Sequence, residues 1–233
     1  MISLALAALF LVLSHFFVAS TPLRSQLAGR LGEERYLAAY TVLTLAAFAW
    51  LIIAYLRAPA LVLWVTPGWT VALLLPVMLV GGVLVTAGLS TPNPVIVRQG
   101  RLFEKADIVQ GILRVSRNPF FWGASLFSLV QLIMLGDAAG LLAFGSIAFL
   151  GIVGSFVLDA KKARQQEVAW QAFAAATSNV PFLAVIRGRQ RLSVREIGPR
   201  RIASGLIVLL IVLALDAFYS SPGVFSNARI AFR

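Results

Sequence analysis

The sequence predicts an all-α integral membrane bundle of about six transmembrane helices, with an amphipathic cytoplasmic helix between the fifth and sixth. Two observations predict it. Six apolar stretches occupy residues 2–20, 36–56, 69–89, 120–135, 138–158 and 202–219, and the basic residues crowd into alternate gaps between them. Crossing a hydrocarbon core of about 30 Å takes roughly 20 residues of helix. Backbone polar groups find no water there, so unbroken apolar runs of that length are read as helices, and the alternating short segments of a barrel are missing. The fourth stretch is the shortest and has to cross with little tilt or borrow its flanks.

Of the 20 Lys and Arg residues, three lie in the first gap (Arg24, Arg30, Arg35) and five in the third (Arg98, Arg101, Lys105, Arg114, Arg117). Nine more run from Lys161 to Arg201 in the fifth gap, leaving Arg57, Arg229 and Arg233. The positive-inside rule makes the odd gaps cytoplasmic and points both termini outward. No Lys or Arg precedes the first stretch, and Arg24 follows it. It therefore reads as a retained helix with its N-terminus outside, not as a secretory signal. The net charge of +11 would suit nucleic acid in a soluble chain. Spread along loops beside membrane helices, it instead orients the chain and meets anionic lipid headgroups, and no nucleic-acid motif accompanies it.

With 60% hydrophobic residues in 233, the whole chain, 1–233, reads as one bundle that includes the loop 159–201. Between the fourth and fifth stretches, Gly136 and Asp137 make a two-residue turn that forces an antiparallel hairpin. Gly136 with Gly140, and Gly151 with Gly154 and Ser155, offer small residues for close backbone approach in it. Thr91, Pro92, Asn93 and Pro94 end the third helix. Tyr36, Tyr40, Tyr55, Tyr219 and Trp69 fall near span ends, as interfacial anchors do. In the fifth gap, 161–175 has the composition of a surface helix carrying Val168, Trp170 and Phe173, ended by Asn179 and Pro181. Residues 182–201 alternate apolar side chains with arginine and are expected to pack back beneath the bundle.

Zero Cys and one His limit the chemistry: no disulfide, no iron–sulfur cluster, no thiolate nucleophile. Nucleotide loops, HExxH and GxSxG motifs are absent from the sequence. An ionisable group within a membrane helix carries a functional hypothesis by default, and His15 is the foremost. Its bland alternative is a neutral imidazole bonded to a neighbouring helix or, alongside Ser14, to its own backbone. Asn118 and Pro119 read as N-cap and first helical residue of the fourth helix. Arg24, Arg114 and Arg117 read as interfacial anchors or as partners for phosphate or propionate groups. Asp137 caps the hairpin. Asp159 is a local partner for Lys161 and Lys162, and Asp216 sits at the outer interface beside Tyr219 or relays a proton or cation.

An ordered set of short motifs adds to this reading. It comprises Ser14-His15, Leu23-Arg24, Gly32-Glu33-Glu34-Arg35-Tyr36, Tyr40, Ala58-Pro59 to Trp64, and Arg114-Val115-Ser116-Arg117-Asn118-Pro119 with Gly123. Gly136-Asp137, Asp159, Thr177-Ser178-Asn179-Val180-Pro181-Phe182 and Gly188-Arg189 complete it. Together they resemble the NnrU family of bacterial membrane proteins, which is associated with nitrite and nitric oxide metabolism. The resemblance extends to the plant zeta-carotene isomerase, a membrane protein with b-type haem. It implies an inner-membrane location with both termini periplasmic, a haem b cofactor, and an axial-ligand role for His15.

The sequence also departs from that pattern. The family's Arg-His-Pro at the start of helix four reads Arg117-Asn118-Pro119 here. The isomerase's Cys and His align with Ser128 and Gln131. A bis-histidine haem is thus impossible in a chain with one His. Three arrangements remain: haem on His15 alone with a position open to a diatomic gas, a His15/Met134 pair, or a lost haem with His15 and Gln131 hydrogen-bonded. His15 lies near the cytoplasmic side while Gln131 and Met134 lie further across, so any shared haem requires helix tilt to close the offset. The expected function is accordingly nitrogen-oxide handling or redox-gated isoprenoid isomerisation. Its rival is a non-enzymatic assembly or partner protein of a membrane complex. A looser likeness to isoprenylcysteine-type methyltransferases, with Asn118 at the His position and Glu167 alone in the acidic stretch, makes S-adenosylmethionine chemistry a third reading. Expected partners are membrane lipids, a hydrophobic or gaseous small molecule, and another membrane protein.

Overall fold

The computed structural model describes residues 1–18, 22–96, 102, 107–164 and 168–220, with side chains to residue 215. The readings made above for Arg98, Arg101, Lys105, Glu167, Asp216, Tyr219, Arg229 and Arg233 lie outside the described residues or side chains. Among the described residues the chain is all-α and forms no strand; the sole bridge pairs Val62 with Asp137.

Helix α1, Ile2–Leu13, runs into a π-helical turn at Ser14–Val18. The first gap is not a loop: it holds α2, Pro22–Leu31, turned 75° from the segment before it. No residue of α2 is buried, so its helicity is not driven by packing, and the apolar runs that define spans could not reveal it. Next come α3, Glu33–Leu56, and α4, Gly68–Ser90. A short 3₁₀ turn, Gly111–Arg114, precedes α5, Pro119–Leu135, and α6, Ala138–Arg164. The fifth gap contains α7, Val168–Ala176, and the single turns α8, Leu183–Ile186, and α9, Val194–Ile197. The chain's last helix is α10, Pro199–Ser220. By length and composition α3, α4 and α6 can each cross a membrane, and the bent α1–α2 pair makes four if taken as one span. At 17 residues α5 is shorter.

The helices pack in two groups. One core joins α1, α3 and α6 through Leu4, Ala7, Leu11, Ala47, Leu51 and Ala143. The other joins α4, α5 and α10 through Met78, Val130 and Leu209. Contact between α5 and α6 unites them.

Lipid tails are as apolar as leucine, so membrane helices associate through close packing, and small residues mark where they do so. A Cβ on Gly82 would lie 2.9 Å from the Gly205 carbonyl oxygen, and one on Gly123 2.7 Å from that of Gly81. Gly151 is likewise closed off by the Phe121 carbonyl at 2.7 Å, as its place in the hairpin predicts, whereas Gly140 has only its own turn, Leu135 and Asp137, beside it. At Gly136 φ is +62°, and the Trp64 carbonyl abuts it. The N–H groups of Leu63 and Trp64 both donate to the Gly136 carbonyl, at 2.8 and 3.0 Å. The α3–α4 connection is thereby pinned to the α5–α6 turn. Asp137 caps α6 by accepting from the Gly140 N–H.

Candidate functional site

Two constellations contain the sequence-predicted residues. The first lies where α5 begins. Three bonds tie residues 115–117 to 178–182. The Arg117 N–H donates to the Ser178 carbonyl (2.9 Å), the Phe182 N–H to the Val115 carbonyl (2.8 Å), and the Ser116 hydroxyl to the Asn179 carbonyl (2.6 Å). Asn93 adds a donor bond to the Arg117 carbonyl at 2.9 Å. This frame holds the Arg117 guanidinium against Asp159 of α6, with Nη2 to Oδ2 at 2.6 Å and Nε to Oδ2 and Oδ1 at 2.9 and 3.1 Å. Both side chains are 14% exposed. Nη1 donates to the Ala174 and Thr177 carbonyls, and the cation lies 5.4 Å from the Trp170 ring centre. Asn118 Nδ2 donates to Asp159 Oδ1 (2.9 Å) and Asn179 Oδ1 (3.1 Å), and Trp122 Nε1 donates to that same Asn179 oxygen (2.9 Å).

Several readings change as a result. Asn118 precedes α5 but makes no side-chain cap bond; its amide is taken by Asp159 and Asn179, while Pro119 does stand at the first helical position. Asp159 pairs with Arg117, 42 residues away, and no described ion pair joins it to Lys161 or Lys162. Arg117 is no interfacial anchor, because a guanidinium enclosed this deeply needs its carboxylate beside it. Arg114 donates from Nε to Glu196 Oε2 (2.7 Å) and from Nη1 to Gln190 (2.7 Å). The Arg114 bonds, helped by the Gly111 N–H, hold the Glu196 carboxyl below its usual range. Asn179, Trp122, Ser116 and Asn93 were not singled out as site residues. Ser116 and Asn179 lay within the family-like motifs and Asn93 at a helix end, while Trp122 carried no signal of its own.

The second constellation surrounds His15. Its Nδ1 lies 2.8 Å from the Leu11 carbonyl, which also accepts from the Ser14 hydroxyl at 3.0 Å. A carbonyl only accepts, so Nδ1 carries the proton and, in the neutral ring, Nε2 carries the lone pair. The imidazole is half-buried between α1 and α3, edge-on to Tyr40 (5.8 Å between centroids) and Phe48 (6.3 Å). Tyr40 stacks on Tyr36, which is itself buried and donates its hydroxyl to the Val18 carbonyl at 3.1 Å. These two tyrosines, then, build the wall of the His15 site and are not simple interfacial anchors. Arg24 pairs with Glu33 at 2.5 Å and lies over the Tyr36 ring, 5.5 Å from its centre.

Met134 is remote from this ring, packed with Met78, Val130 and Leu209 in the α4–α5–α10 core. Gln131, also on α5, is 5% exposed. The main helix contacts set them in different neighbourhoods: α1 packs on α3 and α6, while α5 packs on α4 and α6. Among the described residues no group of three His, Cys, Asp or Glu side chains could hold a metal ion.

A helical bundle with helices apolar enough to cross a membrane, one half-buried imidazole and, among the described residues, one buried ion-pair network is the class these features define. The family model described as NnrU protein matches residues 3–219, and the chain belongs to the NnrU family. No curated protein and no solved structure matches it.

Proposed function

We propose that this NnrU protein is a six-span inner-membrane protein with both termini periplasmic, in which His15 is the single protein ligand of haem b. The observation that carries the reading is the bond from His15 Nδ1 to the Leu11 carbonyl. Metal-binding histidines characteristically donate the second ring N–H to a carbonyl or carboxylate, which fixes the tautomer and leaves the other nitrogen basic. Here the donor atom is Nε2, and Tyr40 and Phe48 hold the ring edge-on. Met134 packs in the α4–α5–α10 core, and the described contacts give His15 no sulfur or nitrogen partner from α5, so the residues fit a group held by His15 alone. A haem so held would be open to a small molecule.

Haem held this way supplies reversible binding of a diatomic gas such as nitric oxide, or one-electron chemistry on it. The chain's own residues fix the imidazole and keep its proton on Nδ1. Arg24, joined to Glu33 next to the Tyr36–Tyr40 stack, is a candidate for a propionate partner. Arg117 is engaged with Asp159. The six-span topology is supported by the pinning of the α3–α4 connection to the α5–α6 turn at one end, with Arg114, Arg117 and Arg201 at the other. It requires α5, at 17 residues, to cross with little tilt.

A cofactor-free partner or assembly protein is the second reading. It is favoured by the seating of Met134 in the α4–α5–α10 core, which removes the His15/Met134 pair. Methyl transfer has less support, since Arg117 and Asn118 are both bonded into the Asp159 network. An absorption spectrum of protein purified in mild detergent from haem-sufficient cells separates these. A Soret band that disappears in His15→Ala is the expected result. A colourless, folded protein, or a band unchanged in the variant, removes the haem reading.

A further inference from the structure

An open cleft of about 480 Å³ lies where α9 turns into α10, lined by Ser90, Gly198, Pro199, Arg200, Arg201 and Ser204. Arg201 forms its floor: Nε and Nη2 donate to the hydroxyl and carbonyl of Ser90, at 3.1 and 3.3 Å, and Nη1 to the Ile197 carbonyl at 3.0 Å. All three acceptors are neutral, so they orient the guanidinium without compensating its charge. Arg200 adds a second cation and is exposed. Among the described residues neither arginine has a carboxylate partner, unlike Arg24, Arg114 and Arg117, which each have one. Two uncompensated guanidiniums match a phosphate diester; the Ser90 and Ser204 hydroxyls donate to the Thr86 and Arg200 carbonyls, so the arginines are the donors to it.

The surface running from the cleft determines what carries that phosphate. Arg200, Ser204, Ile207 and Ile211 follow one another at steps of four, three and four residues, which places them along a single stripe of α10. All are exposed, with Ile207 at 55% and Ile211 at 53%. A polar, cationic end thus continues directly into an apolar track. That is the shape and order of a phospholipid lying against a helix.

We infer that the α9–α10 cleft is a binding site for one anionic phospholipid of the inner leaflet, with its headgroup phosphate at Arg200 and Arg201 and an acyl chain along Ile207 and Ile211. The inference rests on α10 crossing the bilayer as proposed above and is independent of His15. A zwitterionic headgroup brings its own cation next to Arg200, so the site discriminates by charge.

The test is native mass spectrometry of the full chain in mild detergent, titrated with phosphatidylglycerol, phosphatidylcholine or inorganic phosphate. One phosphatidylglycerol should bind at least fivefold more tightly than phosphatidylcholine. Arg200→Gln should weaken that binding about fivefold, a factor typical of one basic residue at a membrane surface. Arg187→Gln, an exposed arginine outside the cleft, should leave it unchanged. Ile207→Gln, which keeps the headgroup site and breaks the track, should weaken phosphatidylglycerol as well. Equal binding of both lipids overturns the assignment, as does an equal loss in Arg187→Gln and Arg200→Gln. Inorganic phosphate competing as well as the lipid, or no loss in Ile207→Gln, would leave an anion site with no lipid specificity and overturns it too.

Discussion

The start of α5 and the C-terminal end of α1 both place ionisable groups inside an apolar bundle, and they do so in opposite ways. At Arg117 the charge is closed off: a forked contact to Asp159, two backbone carbonyls and the Trp170 face account for the guanidinium. At His15 one ring nitrogen is bonded to its own helix, and no described hydrogen bond engages the other. Closure of the first kind ties α5, α6 and the segment after α7 together. Incomplete use of the second kind leaves a nitrogen with a lone pair. Density of bonding therefore separates a structural network from a candidate ligand site better than burial does, since Arg117 and His15 are both half-buried.

The largest effect should come from opening the closed site. Asp159→Ala leaves Arg117 enclosed without its counter-charge and should destabilise the protein by about 3–5 kcal/mol, read as loss of the monodisperse peak and a much lower unfolding temperature in detergent. Replacing both partners, Arg117→Met with Asp159→Leu, should recover most of that loss, because an apolar pair no longer carries an unpaired charge. If the double variant is as unstable as the single one, the pair is not the lock described here. His15→Ala belongs at the other end of the scale. It removes one hydrogen bond whose carbonyl acceptor keeps the Ser14 hydroxyl, so about 1 kcal/mol or less is expected, with the same thermal assay as readout. A loss near that of Asp159→Ala would place His15 among the structural groups and erase the contrast.

The two regions were not equally legible in the sequence. Membrane thickness and loop charge are one-dimensional constraints, so the apolar stretches and their helical character could be read directly. The α2 helix was hidden because nothing buries it. His15 was half legible: its bond to Leu11 is local, one helical turn back, and follows from the neighbouring Ser14, but the Tyr40 and Phe48 wall depends on which face α3 presents. Asp159 and Arg117 were read separately as a local pair and an anchor. Their contact arises only when α6 returns beside the start of α5, across 42 residues. Helical spacing put Gln131 and Met134 on one face of α5 but could not tell whether that face meets α1 or the α4–α10 core. Packing decided it for Met134, through the close approaches at Gly81, Gly123, Gly82 and Gly205.

The central claim is a single imidazole ligand with no second protein ligand, and electron paramagnetic resonance of the purified ferric protein addresses it most directly. The account predicts an axial high-spin signal that is lost in His15→Ala and unaltered in Met134→Ala. A low-spin signal from a second protein ligand would contradict it, and so would the absence of any haem signal from folded protein made in haem-sufficient cells.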